Sequence, residues 1–475
     1  MIKMLRSKRP KKKPQKAGLL VGRRATNTSD DDMISAEDFY NIAFGFGISA
    51  SGGGGSFIQG LEIAQRSVAD DFESVKIYKP SKLSGPGRAF VSGGIGKPES
   101  LKEPVKFGER VSKLLKYLDG QLRKNYSHLQ GILPVEAGPI NGLLPIYNVH
   151  AYNKKQKDPK RKIWLFDCDG AGRAVPSMTN LMYDYFPKGT CPITYNFEND
   201  AGSKKNVLLQ SDEVLDGSDA EQIFTSVMMY GSDTMNGAIP FTCWQFDETM
   251  AKEEIRFPSG TYSYWKKMGK ELKNSYTGKE ELINFLQILN YANFYSVDFF
   301  KDRIYTSTVD DIIQVPNDRW NVGYIKFDVE ANVSEKRLYF VNENLTISKL
   351  TYKDNKLETL ATAPSSITTF FKDPNPDKVP IGTDGTTLEP GFIPYNTGDI
   401  DKIAKLKGVE IIIAVTDPTI PGNMNFLYEN DMRKRLKDVM NKIFKELNKD
   451  NSKYIFPGII DEVVPRPPLK KDGFS

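Results

Sequence analysis

Six residues, Ser51-Gly-Gly-Gly-Gly-Ser56, constrain this chain more than any other stretch. Four consecutive glycines lose a great deal of backbone entropy on ordering, so a fold that orders them needs a close main-chain approach that only glycine allows. Their flanks place them inside a domain. Ahead lies SAEDFYNIAFGFGI, where Ser35 and Asp38 read as a capping box and Phe39, Ile42, Ala43 and Phe46 recur at helical spacing. Behind lies FIQGLEIAQRSVADDF, a second helix. Helix, glycine loop, helix is therefore the expectation, with Gly52, Gly53, Gly54, Gly55 and Ser56 approaching a ligand at the start of the second helix. A flexible spacer is the alternative. No Gly-Lys-Ser/Thr follows, so this is not a Walker loop. Gly45-Phe-Gly47-Ile-Ser-Ala50 matches a dinucleotide fingerprint by letters, but it lies within a helix pattern instead of after a strand.

Strand-sized pieces follow: SVKIYKP, then RAFVSGGIG with a glycine turn after AFV, then GILPVEAGPIN and KIWLFDCDGAGR. A long amphipathic helix over about 109–125 separates them. This alternation predicts an α/β domain over 33–205. Glu136 and Asn141, beyond the apolar ILPV, would face the crevice at a strand's C-terminal end. Asp167 and Asp169 would share a face if their strand continued through them. Such a pair can hold a divalent cation, share a proton, or divide into nucleophile and acid. Arg173 would neutralise them or orient an anionic substrate; an acidic loop paired structurally to Arg173 is the plainer reading. Asp-x-Asp-Gly after an apolar strand also resembles the first motif of haloacid-dehalogenase-like phosphotransferases, with Asp167 as nucleophile. Ala171 stands where that motif expects Thr, and no clear acidic metal pair follows.

The polar stretch 198–214 reads as a boundary before a β-richer α+β domain over 206–463. FVNENLTISKL is a strand pattern interrupted by Asn342, Glu343 and Asn344, where crevice residues or a bulge are both open. Residues 427–449 read as an amphipathic helix and 464–475 as a loose tail.

The chain has 475 residues and net charge +5, but residues 1–16 alone carry eight Lys or Arg and no acid. The remainder, 57 basic against 60 acidic residues, gives no sign of a nucleic-acid-binding body. The basic tail, disordered over 1–32, suits a polyanion or an import factor. No run approaches the roughly 20 apolar residues of a membrane-spanning helix, so no membrane is expected. Three cysteines without CxxC give neither a disulfide framework nor a zinc ribbon, and two histidines exclude a His-rich metal site. A reducing compartment follows: the cytoplasm, with the nucleus as the tail's alternative.

Taken in order, these pieces resemble the S-methyl-thiohydantoin desulfurase-like family, formerly a domain of unknown function found near hydantoin-utilisation genes. DFYNIAFGFGISASGGGGSFIQGL resembles its opening helix and glycine loop, and GGIGKPESL its Met-Gly-Ala-Pro turn. VEAGPINGLLPIYNVHA resembles its Glu-x-Gly-Gly-x-Asn segment, and LFDCDGAGRAVP its Asp-x-Asp-Gly-x-Gly-Arg-Ala-x-Pro. VNENL resembles its Asn-Glu-Asn-Leu, and NTGDIDKIAKLKGVEIIIAVTDP its Thr-Gly ending. Pro139 and Cys168 depart from the pattern. The resemblance implies a two-domain α/β enzyme, expected as a homo-oligomer, that hydrolyses a small hydantoin-like cyclic amide and releases a thiol. It implies a carboxylate-activated water (Asp167, Asp169 or Glu136) and donors from the glycine loop, Gly172 and Arg173. Asn141, Asn342 and Glu343 would meet the substrate. The resemblance names no definite cofactor; a divalent metal on Asp167 and Asp169 is an option. A non-catalytic assembly protein on the same fold and the phosphotransferase are the rival readings.

Overall fold

The computed structural model describes residues 33–72, 74–96, 104–185, 189–198, 204–230, 238–252, 260–293, 303–317, 320–363, 365–416, 430–450 and 454–458. The tails read at 1–32 and 464–475 lie outside the described residues. Two eight-stranded sheets carry the architecture. The first comprises β1 (Met33–Ser35), β2 (Ser74–Tyr78), β3 (Gly87–Gly96), β4 (His128–Pro134), β5 (Trp164–Phe166), β6 (Ile193–Glu198), β7 (Lys204–Leu209) and β8 (Ala238–Phe246). Its order is β1-β2-β5-β4-β3-β8-β6-β7. β2, β5, β4 and β3 run parallel, and antiparallel strands flank them on both sides. The second sheet is antiparallel throughout: β9 (Ile304–Val315), β10 (Val322–Glu330), β11 (Ser334–Val341), β12 (Glu343–Thr351), β13 (Lys356–Thr362), β14 (Ser366–Asp373), β15 (Gly391–Ile393) and β16 (Glu410–Thr416).

Ten helices join and cover them: α1 (Ala36–Ser49), α2 (Phe57–Ala69), α3 (Pro104–Lys124), α4 (Leu143–Lys154), α5 (Gly217–Tyr230), α6 (Glu248–Lys252), α7 (Thr261–Ser275), α8 (Lys279–Asn293), α9 (Ile400–Ile403) and α10 (Asn430–Asp450), counted among the described residues. The capping box at Ser35 and Asp38 starts α1 as its sequence demands. From Phe39 to Ser49 every residue of α1 is buried, as befits a helix without a polar face. It can be enclosed because two glycines let α7 cross it backbone to backbone. A Cβ on Gly269 would lie 1.7 Å from the Asn41 carbonyl oxygen, and one on Gly45 2.2 Å from that of Trp265. The C-terminal end of α1 is tied to the second sheet, where Thr368 Oγ1 donates to the Ile48 carbonyl at 2.8 Å. One hydrophobic core thus runs from Ile132 and Leu165 of the first sheet through Phe44 to Ile412 and Phe370 of the second.

Three local expectations change. AFV does not end in a turn, because β3 continues through Gly93–Gly96 paired to β8. Within the polar stretch 198–214, Lys204–Leu209 form β7, which pairs antiparallel with β6 in the first sheet. KRLYFVNENLTISKL is two strands, since Asn342 takes φ +58° and reverses the chain between β11 and β12.

Candidate active site

The glycine loop is ordered by packing on the chain itself. Gly52, Gly54 and Gly55 hold positive φ values of 79°, 64° and 102°. A Cβ on Gly54 would stand 2.5 Å from Gly138 Cα, and one on Gly53 2.3 Å from Glu343 Cγ. The loop's carbonyls are gripped as well: Thr397 N donates to Gly52 O at 2.7 Å, Asn396 Nδ2 to Gly53 O at 2.9 Å, and Ile140 N to Gly54 O at 2.8 Å. At the start of α2, Ser56 Oγ accepts from Gln59 N at 3.0 Å. The Asp399 carboxylate accepts from Ser56 Oγ, from Phe57 N at 2.9 Å and from Asn396 N at 3.0 Å. This helix N-terminus therefore already carries an anion of the chain's own. Burial pushes the Asp399 carboxyl up to about 6 against those donors.

The spacing of Asp167 and Asp169 does not give them a shared strand face, because β5 ends at Phe166. Asp167 Oδ1 accepts from Tyr262 N at 2.7 Å and Oδ2 from Ser263 Oγ at 2.5 Å. Asp169 Oδ2 accepts from Thr261 Oγ1 at 2.6 Å, while Oδ1 accepts from Ala171 N at 2.6 Å and from Gly172 N. The pair clasps the first turn of α7, supplying acceptors to a helix N-terminus. With all four oxygens directed at N–H and O–H donors, the pair does not fit a divalent cation, which needs those lone pairs. Burial raises Asp169 to about 6. Arg173 is buried too; Nε donates to Ala174 O at 2.8 Å and Nη1 to Ser365 O at 2.6 Å, joining this loop to the segment before β14.

A cavity of about 140 Å³ opens at the C-terminal ends of β3 and β4, the place where parallel α/β sheets receive ligands. Of the residues singled out from sequence, Gly54, Gly55, Glu136, Asn141, Asn342 and Glu343 line it; Asp167, Asp169, Gly172, Arg173, Gly52, Gly53 and Ser56 do not. Glu136 follows β4 and is held at both oxygens, Oε1 by Asn141 Nδ2 at 2.8 Å and Oε2 by Val175 N at 3.0 Å. Asn141 is itself fixed by Gly94 N, which donates to its Oδ1 at 2.9 Å. Burial, only partly offset by those bonds, pushes Glu136 up to about 7. Glu343 enters from the β11–β12 hairpin; burial and then the Glu136 charge hold it well above the carboxylate range, with Arg173 acting the other way. Its Oε2 has no hydrogen-bond partner among the described residues. Trp320, Phe241 and, from α5, Glu221 complete walls that the motifs did not announce. No local pattern marks them. Asp399 was more accessible, since Asn396 and Asp399 form a capping box next to the Thr-Gly element.

Comparison with known proteins gives two similarities. Residues 37–211 match the model of the S-Me-THD-like family's N-terminal domain. Over these residues the chain is similar to that N-terminal domain. The matched region holds the glycine loop, Glu136, Asn141 and the Asp167–Arg173 segment. A crystallographically solved protein from Chromobacterium violaceum shares the fold, with a TM-score of 0.60 at 16% identity over 90% of this chain and 99% of that one. No curated protein matches the chain. Among the described residues, no helix is long and apolar enough to cross a membrane.

Proposed function

We propose that the chain is a hydrolase of S-methyl-thiohydantoin-like cyclic amides, with Glu136 and Glu343 as its acid–base pair. The observation that carries this reading is two buried carboxyls lining one cavity, both raised from the ordinary range and only Glu136 held at both oxygens. Two such groups at neutral pH present one partly ionised base and one protonated acid. Glu136 takes a proton from water as the oxygen adds to the ring carbon bearing sulfur. Glu343 gives its proton to the adjacent ring nitrogen. When the carbon–sulfur bond breaks, the thiolate leaves with the proton held by Glu136, and the new hydroxyl returns one to Glu343 while becoming a carbonyl. Water and the S-methyl ring thus yield the hydantoin and methanethiol, and both carboxyls are restored. Asn141 orients the base, and Gly54 and Gly55 line the same cavity.

The phosphotransferase reading loses its nucleophile, because Asp167 is engaged with α7 and does not line the cavity. The test is release of a titratable thiol from S-methyl thiohydantoin by the purified full chain. Turnover in the parent with a loss of about 10²–10⁴-fold in E136Q supports the reading. Absent turnover with a folded protein rejects it.

A further inference from the structure

The sequence supplies two devices for binding anions, a glycine-rich loop entering a helix and Arg173, and the structure uses both internally. Asp399 already caps the N-terminus of α2. The Arg173 guanidinium donates to the carbonyls of Ala174 and Ser365 and does not line the cavity. What does line it is acidic and aromatic: Glu136, Glu221 and Glu343 together with Phe107, Phe241 and Trp320. Among the described lining residues there is no Lys, Arg or His. The Glu343 side chain is only 5% exposed, and its Oε2 is a buried acceptor with no donor among the described residues. A buried acceptor in that state is costly until a ligand supplies the donor.

We propose that this cavity selects five-membered nitrogen rings by charge, taking a cationic ring most tightly, a neutral ring next and a ring bearing a carboxylate least, with Glu343 as the group that receives the ring's N–H. An aromatic wall favours the same order, since ring faces attract cations. Burial raises the Glu343 carboxyl well above its ordinary range, and a cationic ring beside it opposes that rise. The inference rests on the reading above for the place of binding, and not for the reaction.

Three rings of similar size test it by ligand-observed NMR on the full chain: 2-aminoimidazoline (cationic), 2-imidazolidinone (neutral) and 2-oxoimidazolidine-4-carboxylate (anionic). The expected dissociation constants rise in that order, with about tenfold or more between cation and anion. Glu343→Gln keeps the size of the side chain and should abolish the cation's advantage over the neutral ring. A carboxylate ring that binds as tightly as the neutral one, or failure of all three to bind the folded parent, overturns the inference. A protein that shows the expected order yet turns over no S-methyl thiohydantoin would overturn the proposed reaction alone.

Discussion

At the residue scale the decisive difference lies between carboxylates that are satisfied and one that is not. Asp167 and Asp169 look catalytic by spacing, but their oxygens are committed to α7 and to the loop backbone. Asp169→Asn, which the sequence alone marks as a loss of chemistry, is expected instead to cost stability. It replaces an oxygen that accepts from buried donors, and about 1–3 kcal/mol should be lost by chemical denaturation. Glu136→Gln is expected to keep the fold and lose turnover. The buried acids also set a pH dependence. Glu136 rises from 4.5 to about 7, and Asp169 and Asp399 from 3.8 to about 6. Between the unfolded and folded values the folded chain binds more protons, so stability falls as pH rises from about 4 to about 7 and then levels. Thermal unfolding followed from pH 5 to pH 8 should show that decline, and E136Q should flatten its upper part.

At the scale of elements, the regions that sequence made legible are those where local chemistry decides the outcome. The cap at Ser35, the helices on either side of the glycine run, and the amphipathic helices α3 and α10 are fixed by periodicity and capping. The hairpin at Asn342 was not legible, because an Asn in a β-rich run is compatible with a strand, a bulge or a turn until its φ is known. What the glycine loop touches was equally hidden: Gly138 and Glu343 are remote in sequence, and their contact with Gly54 and Gly53 is a tertiary fact. Gly54→Ala is expected to destabilise by about 2 kcal/mol or more, since it combines a positive φ with a Cβ 2.5 Å from Gly138 Cα. Circular dichroism melts of that variant beside the parent give the measurement.

At the scale of the molecule, α10 joins what the two sheets hold apart. Leu436, Met440, Ile443, Phe444 and Leu447 cover Tyr324, Tyr339 and Val341 of the second sheet. One turn earlier, Met432 is buried with the core of the first sheet. Arg435 Nη1 meets Asp184 Oδ2 at 2.8 Å, and the other oxygen of Asp184 accepts from Gly217 N at the start of α5, the helix that brings Glu221 to the cavity. A chain ending before residue 430 should therefore expose the apolar face of β10 and β11 and unfold at lower temperature with a broadened transition, which differential scanning calorimetry would reveal. The cavity itself is a whole-molecule feature, drawing Glu136 from one sheet and Glu343 from the other. Hydrolysis carried out in ¹⁸O-labelled water tests that union most directly. The parent should release methanethiol and place one label in the new hydantoin carbonyl, while E136Q, folded at the assay temperature, should do neither. Labelled product from E136Q at the parent's rate would contradict the account.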